Sequence, residues 1–95
     1  MVLVQNNSKH SIRIVYQGAE YQLPVGEPAE IPEIAASLFF GYGIDITKEH
    51  VDMICQRIKR YNPKLTNMPD KEIWDEIVKE MLFGKDVIQK EKLKK

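Results

Sequence analysis

Three prolines spaced four residues apart, Pro24, Pro28 and Pro32, divide this chain into two parts that cannot share one secondary structure. Proline gives no N–H to a strand ladder and clashes inside a helix. Neither a continuous central strand nor a helix therefore crosses the stretch YQLPVGEPAEIP. Whatever precedes it finishes near Leu23, and whatever follows begins afresh near Pro32. Gly26 permits a tight bend between the first two prolines. Ala29-Glu30-Ile31 is long enough for a short strand. Pro32 suits the first turn of a helix, where its N–H would be unpaired anyway.

Before the junction the pattern is β. Val2 to Gln5 reads as a first strand, and Asn6-Asn7-Ser8-Lys9 as a turn cluster. The run SIRIVYQGAEYQLPV alternates apolar and polar residues on both sides of Gly18. A two-residue Gly18-Ala19 loop would pair Tyr16 with Tyr21 and Ile14 with Leu23. Ile12, Ile14, Tyr16, Tyr21 and Leu23 then share one face, with Arg13, Gln17, Glu20 and Gln22 on the other. A sheet with one wet face is antiparallel.

After the junction the pattern is helical. A first helix is expected over about 32–42, with Ile34, Leu38 and Phe39 buried and Gly41 or Gly43 as a left-handed cap. A second is expected over about 48–61. Thr47 is its N-cap, Ile46 staples onto Val51, and Val51, Ile54, Cys55 and Ile58 form its apolar stripe. A third is expected over about 69–83, with Ile73, Trp74, Ile77, Val78, Met81 and Leu82 covering a wide face. Strands first and helices second means an α+β fold: a small antiparallel sheet followed by three helices. One domain over 1–84 and a lysine-rich tail over 85–95 account for the whole length of 95 residues.

The formal net charge is zero, from 14 basic and 14 acidic residues, which removes the simplest electrostatic case for a nucleic-acid binder. The charge is unevenly placed. Residues 1–46 carry two bases and five acids, and residues 84–95 carry five lysines against two acids. An acidic front and a basic tail attract each other within or between subunits. The single cysteine excludes an internal disulfide. Met1-Val2-Leu3-Val4 runs at once into polar residues, so no signal peptide is expected, and no apolar run reaches membrane-spanning length.

Few residues invite chemistry. His10, His50 and Cys55 are the soft metal ligands, but His50 and Cys55 lie roughly 140° apart around one helix. Cys55 falls in an apolar stripe, where a buried thiol is inert. No serine stands in a nucleophile-elbow context, and Gly41-Tyr42-Gly43 lacks a phosphate-loop pattern. We therefore expect no enzyme, no cofactor and no metal. Arg57, Lys59, Arg60 and Lys64, with Tyr61 among them, form the best nucleic-acid candidate. Helix-dipole pairing at the end of the second helix explains the same cations more plainly. The aromatic set Phe39, Phe40, Tyr42, Trp74 and Phe83 is the candidate protein interface. Adjacent phenylalanines point to different sides of a helix, and the third helix carries more apolar surface than so small a core absorbs.

The segment from Asn6 through Tyr16-Gln17-Gly18, Pro24-Val25-Gly26-Glu27 and Ile31-Pro32 to Tyr42 resembles small virion proteins of tailed bacteriophages. These often begin with a strand, a Y-x-G hairpin, a P-x-G-E-like bend and an "IP" entry to a helix. The likeness covers residues 1–42. It implies a structural component of a capsid, neck or tail, located in the virion or the host cytoplasm. Such a component works through contacts with its own copies or with other virion proteins, and has no catalytic residues.

Overall fold

The computed structural model describes residues 1–87 and has an α+β fold. Its strands are β1 (Val2–Asn6), β2 (Ile12–Tyr16), β3 (Ala19–Leu23) and β4 (Pro28–Ile31). Helices α1 (Glu33–Phe40), α2 (Lys48–Tyr61) and α3 (Asp70–Glu76) follow, and a last strand, β5 (Met81–Phe83), closes the order. The strands do not form one sheet. β2 and β3 stand alone as a two-stranded hairpin, and β4-β1-β5 make a three-stranded antiparallel sheet with β1 in the middle.

The hairpin turns one residue earlier than the sequence suggests. Gln17 and Gly18 are the loop, with φ of 50° and 78°, the pair of positive values that defines a type I′ turn. Ile12 pairs with Leu23, Ile14 with Tyr21 and Tyr16 with Ala19. Relative to the expected pairing the strands have slipped by two residues. An even slip keeps every side chain on its own face. Ile12, Ile14 and Leu23 are therefore fully buried, as their alternation demands. Arg13 and Glu20 form an exposed ion pair on the other face. Gln17 is the one non-glycine residue with positive φ among those described. Gln17→Asn should raise stability by about 0.5–1 kcal/mol, because asparagine tolerates this conformation at lower cost. A shift of the urea midpoint at unchanged slope would report it.

The proline segment connects the two sheets through a buried asparagine. Asn6, the last residue of β1, is fully buried. Its side-chain nitrogen donates to the carbonyls of His10 (2.7 Å) and Leu23 (2.9 Å). Its Oδ1 accepts from the Ser8 N–H (2.9 Å) and the Ser8 hydroxyl (2.6 Å). The backbone N–H of Gly26 donates to the Asn6 carbonyl at 2.7 Å, at the bend where Gly26 takes a φ of 81°. One side chain thus ties together the end of β1, the turn after it and the end of β3. Pro28 stands opposite Gln5 on an edge strand, the place in a sheet that tolerates proline. Pro32 leads straight into α1.

Two helices follow expectation at their ends. Gly41, with φ of 73°, terminates α1, and its N–H returns to the Ser37 carbonyl at 2.9 Å. The Thr47 hydroxyl accepts from the His50 N–H at 3.3 Å, and His50 Nδ1 accepts from the Thr47 N–H at 3.1 Å. That is a reciprocal capping box with histidine in the place usually held by glutamate. Ile54, Cys55 and Ile58 are the buried face of α2, and Val51 is half-buried beside them.

α1 and the third helix depart from the sequence reading. α1 buries Ala35, Ala36, Phe39 and Phe40, while Ile34 stands out in solvent and Leu38 is half-buried. The small alanine pair lets the helix approach its neighbours, and the two phenylalanines fill the space on either side. The third helix stops at Glu76; a 3-10 turn over Val78–Glu80 follows, and Met81–Phe83 pairs with β1. Its apolar residues are thus divided between a short helix and a strand, which removes the apparent excess of apolar surface. Residues 85–87 begin a further helical turn, with Val87 buried. From residue 88 onward the lysine-rich tail lies outside the described residues.

Candidate functional site

The aromatic set does not form one exposed face. Phe39 and Phe40 are both buried, because α1 lies between two different partners. The Phe39 ring is 5.8 Å from Tyr61 on α2, and the Phe40 ring is 6.2 Å from Phe83 on β5. Tyr42 and Phe83 are half-buried and face each other at 4.9 Å. Trp74 is half-buried against the core. As docking anchors, Phe39 and Phe40 are therefore unavailable in the folded chain, and only parts of Tyr42, Trp74 and Phe83 reach the surface.

Among the described residues the exposed large apolar side chains are Met1 and Val25 beside the strands, and Ile34, Ile44, Ile46 and Met53 on α1, the loop after it and α2. Ile34 is 61% exposed, Met53 50%, Ile46 39% and Ile44 38%. Ile34 and Leu38 are one turn apart on α1, which ends before Tyr42 at the left-handed Gly41. Ile34, Ser37, Tyr42 and Gly43 line a shallow groove of about 280 Å³ with Glu33 at its rim. The Ser37 hydroxyl donates to the Tyr42 carbonyl at 2.6 Å and fixes the groove's floor. Ile46 folds back so closely over Gly41 that a side chain there would collide with its Cδ1. The isoleucines at 44 and 46 carry a signal that sequence reasoning passed over. Loops between helices are ordinarily polar, and Gly43-Ile44-Asp45-Ile46 puts two large apolar residues into one with no strand partner.

The basic set is partly occupied by the fold itself. Arg57 donates through a terminal guanidinium nitrogen to the Leu38 carbonyl at 2.8 Å and so caps the last turn of α1. Lys59 Nζ is 2.7 Å from Asp70 Oδ1, joining α2 to the start of α3. Arg60 and Lys64 are exposed. Of the four cations, these two remain available for phosphate contacts.

Of the chemical candidates, His50 and Cys55 are committed to structure. His50 belongs to the capping box, and among the described residues no cluster of three metal-ligating side chains exists. Lys9 and His10 line a cleft of about 300 Å³ together with Asp75, Glu76 and Glu80. Among the described residues no helix is long and apolar enough to cross a membrane.

Cys55 is fully buried, 3.4 Å from the Asp70 carbonyl. Burial, and then the Asp70 carboxylate, push its thiol up from 9.0 to about 11, with Lys59 opposing. Thiolate chemistry is therefore suppressed at neutral pH. Below pH about 9 the thiol is protonated in both folded and unfolded chains, and its contribution to stability is fully present. Between about 9 and 11 only the unfolded chain ionises, so stability falls. The loss should be on the order of 2 kcal/mol, read as the difference between the native chain and Cys55→Val across that window. Parallel curves would show that the thiol is not shielded.

No protein-family model, no curated protein and no solved structure matches the chain, so the functional reading rests on the exposed apolar residues of α1 and the loop after it.

Proposed function

We propose that this protein is a structural or adaptor subunit that acts through protein–protein contacts, of the kind that tailed phages use as minor components of capsid, head–tail connector or tail. The observation that carries the reading is that large apolar residues on α1 and the loop after it, Ile34, Ile44 and Ile46, are left exposed, with Ile34 and half-buried Tyr42 lining one groove. Large apolar side chains left exposed on a helix and the loop after it, with a groove beside them, are characteristic of contact surfaces. The likeness of residues 1–42 to small virion proteins agrees with it in kind. His50, the thiol and half of the basic set are already engaged within the fold, which favours a contact role over catalysis or nucleic-acid binding.

Light scattering on the purified chain, alone and mixed with the products of genes adjacent to its own, tests the proposal. Self-association or a stable complex is expected, lost in the double variant Ile34→Ser/Ile44→Ser. Both positions are exposed, so that variant should unfold within about 0.5 kcal/mol of the parent. A chain that stays monomeric at every concentration and joins none of those products would overturn the reading.

A further inference from the structure

The two edges of the hairpin are finished differently. On the β2 side, the N–H and C=O of Arg13 point away from β3, and the Asn62 side chain bonds to both, at 2.8 and 2.9 Å. On the β3 side, no described residue stands in that place. Tyr16 and Ala19 flank the two-residue turn and form a hydrogen-bonded pair, and every second pair along the ladder repeats it. Glu20 and Gln22 fall between those pairs and direct their backbone groups outward. Both residues are exposed, and β3 has no strand neighbour but β2. Among the described residues, no hydrogen bond from outside the hairpin reaches these backbone groups.

An open strand edge takes up another strand, and this one is complementary to itself. About a two-fold axis through Tyr21, Glu20 of one copy lies opposite Gln22 of the other, and every outward N–H finds a carbonyl. The neighbouring registers fail. Centred on Glu20, the pairing sets two carboxylates directly opposite each other. Centred on Gln22, it sets Glu20 opposite Pro24, which has no N–H to give. The side chains agree with the Tyr21 register. Gln22 Nε2 donates to Glu20 Oε1 of its own chain at 2.6 Å, and its second N–H is left for the Glu20 carboxylate of the other copy. Arg13 keeps each Glu20 paired with a cation. On the opposite face, the half-buried Tyr21 rings become neighbours at the closest cross-strand spacing.

We infer that two copies of this chain join through β3, in antiparallel pairing centred on Tyr21, and merge their hairpins into one sheet of order β2-β3-β3-β2. A lone two-stranded hairpin is the least stable of sheets, and the pairing doubles it. This surface is separate from Ile34 and Ile44. The Ile34→Ser/Ile44→Ser variant therefore keeps this dimer and loses only the contacts made through α1.

Light scattering over a concentration series gives the oligomeric state of the full chain, and amide exchange read by NMR locates the contact. A concentration-dependent dimer is expected, with exchange at Glu20 and Gln22 slowing as it forms. Gln22→Pro deletes an outward N–H without touching a bond to β2, and should leave a monomer. If that variant fails to fold, charge decides instead. Gln22→Glu, opposite Glu20, should weaken the dimer about fivefold, and Gln22→Lys should tighten it about fivefold. A chain that stays monomeric at millimolar concentration would overturn the inference, while a complex with another protein through α1 would leave the contact role standing. A dimer whose Glu20 and Gln22 amides exchange freely would also overturn it, because the contact would lie elsewhere. Equal effects of the two charge variants would overturn the register. Protection of those two amides only in the presence of another protein would overturn it too, because the occupant would then be that partner's strand.

Discussion

Asn6→Ala is expected to destabilise the protein by about 4 kcal/mol, at roughly 1 kcal/mol for each buried hydrogen bond lost. The substitution removes four such bonds, takes one donor each from the Leu23 and His10 carbonyls, and leaves the buried Ser8 N–H without a partner. Part of that cost is the desolvation penalty of the Ser8 N–H, left buried and unpaired. Denaturant titration of Asn6→Ala and of Asn6→Leu separates the two contributions. Leucine restores most of the volume but none of the bonds, so it should recover little. A loss under about 1 kcal/mol would mean that the turn after β1 rearranges and rehydrates freely.

Asn62→Ala should cost about 3 kcal/mol by the same reasoning. Asn62 behaves as a one-residue strand. Its Oδ1 accepts from the Arg13 N–H at 2.8 Å, and its amide nitrogen donates to the Arg13 carbonyl at 2.9 Å and to the Ile58 carbonyl at 2.7 Å. The outer edge of β2 is thereby paired by a side chain, and the C-terminal end of α2 is fastened to the hairpin at the same point. Asn62→Asp keeps the shape and the acceptor but loses both donations, so at neutral pH it should cost at least as much as alanine. Amide exchange at Arg13 provides an independent readout, because its protection should fall in both variants. Unchanged protection would show that solvent or another group already serves Arg13.

The local half of this fold is written plainly in the residues. The hairpin faces follow from alternation, and they survive an error in the turn because the error is even in register. Thr47, Gly41 and Pro32 mark helix ends by mechanisms that act within a few residues of themselves. The non-local half is not legible in the same way. Ile73, Trp74, Ile77, Val78, Met81 and Leu82 fit a helical repeat, and nothing before Met81 in the sequence interrupts it. What interrupts it is β1, which offers a free strand edge to residues 81–83 and outbids a weak local preference. The Phe39-Phe40 pair was legible as two directions, but which elements lie in those directions depends on where α2 and β5 arrive. The start of α1 shows the same limit. Ile34 looks like a core residue by composition, and only the packing of Ala35 and Ala36 turns it outward.

The pairing of β1 with β5 also sets an order of events. Asn6 and Met81 are partners although about 75 residues separate them along the chain. On a ribosome the hairpin and the first two helices can assemble as they emerge, but β1 waits with one edge bare until residues 81–83 leave the tunnel. Loop closure over that span is slow compared with hairpin or helix formation. During that interval the bare edge is open to strands of other chains, so the interval from the birth of β1 to the birth of β5 is when a nascent copy is most exposed to mispairing with its siblings on the same message.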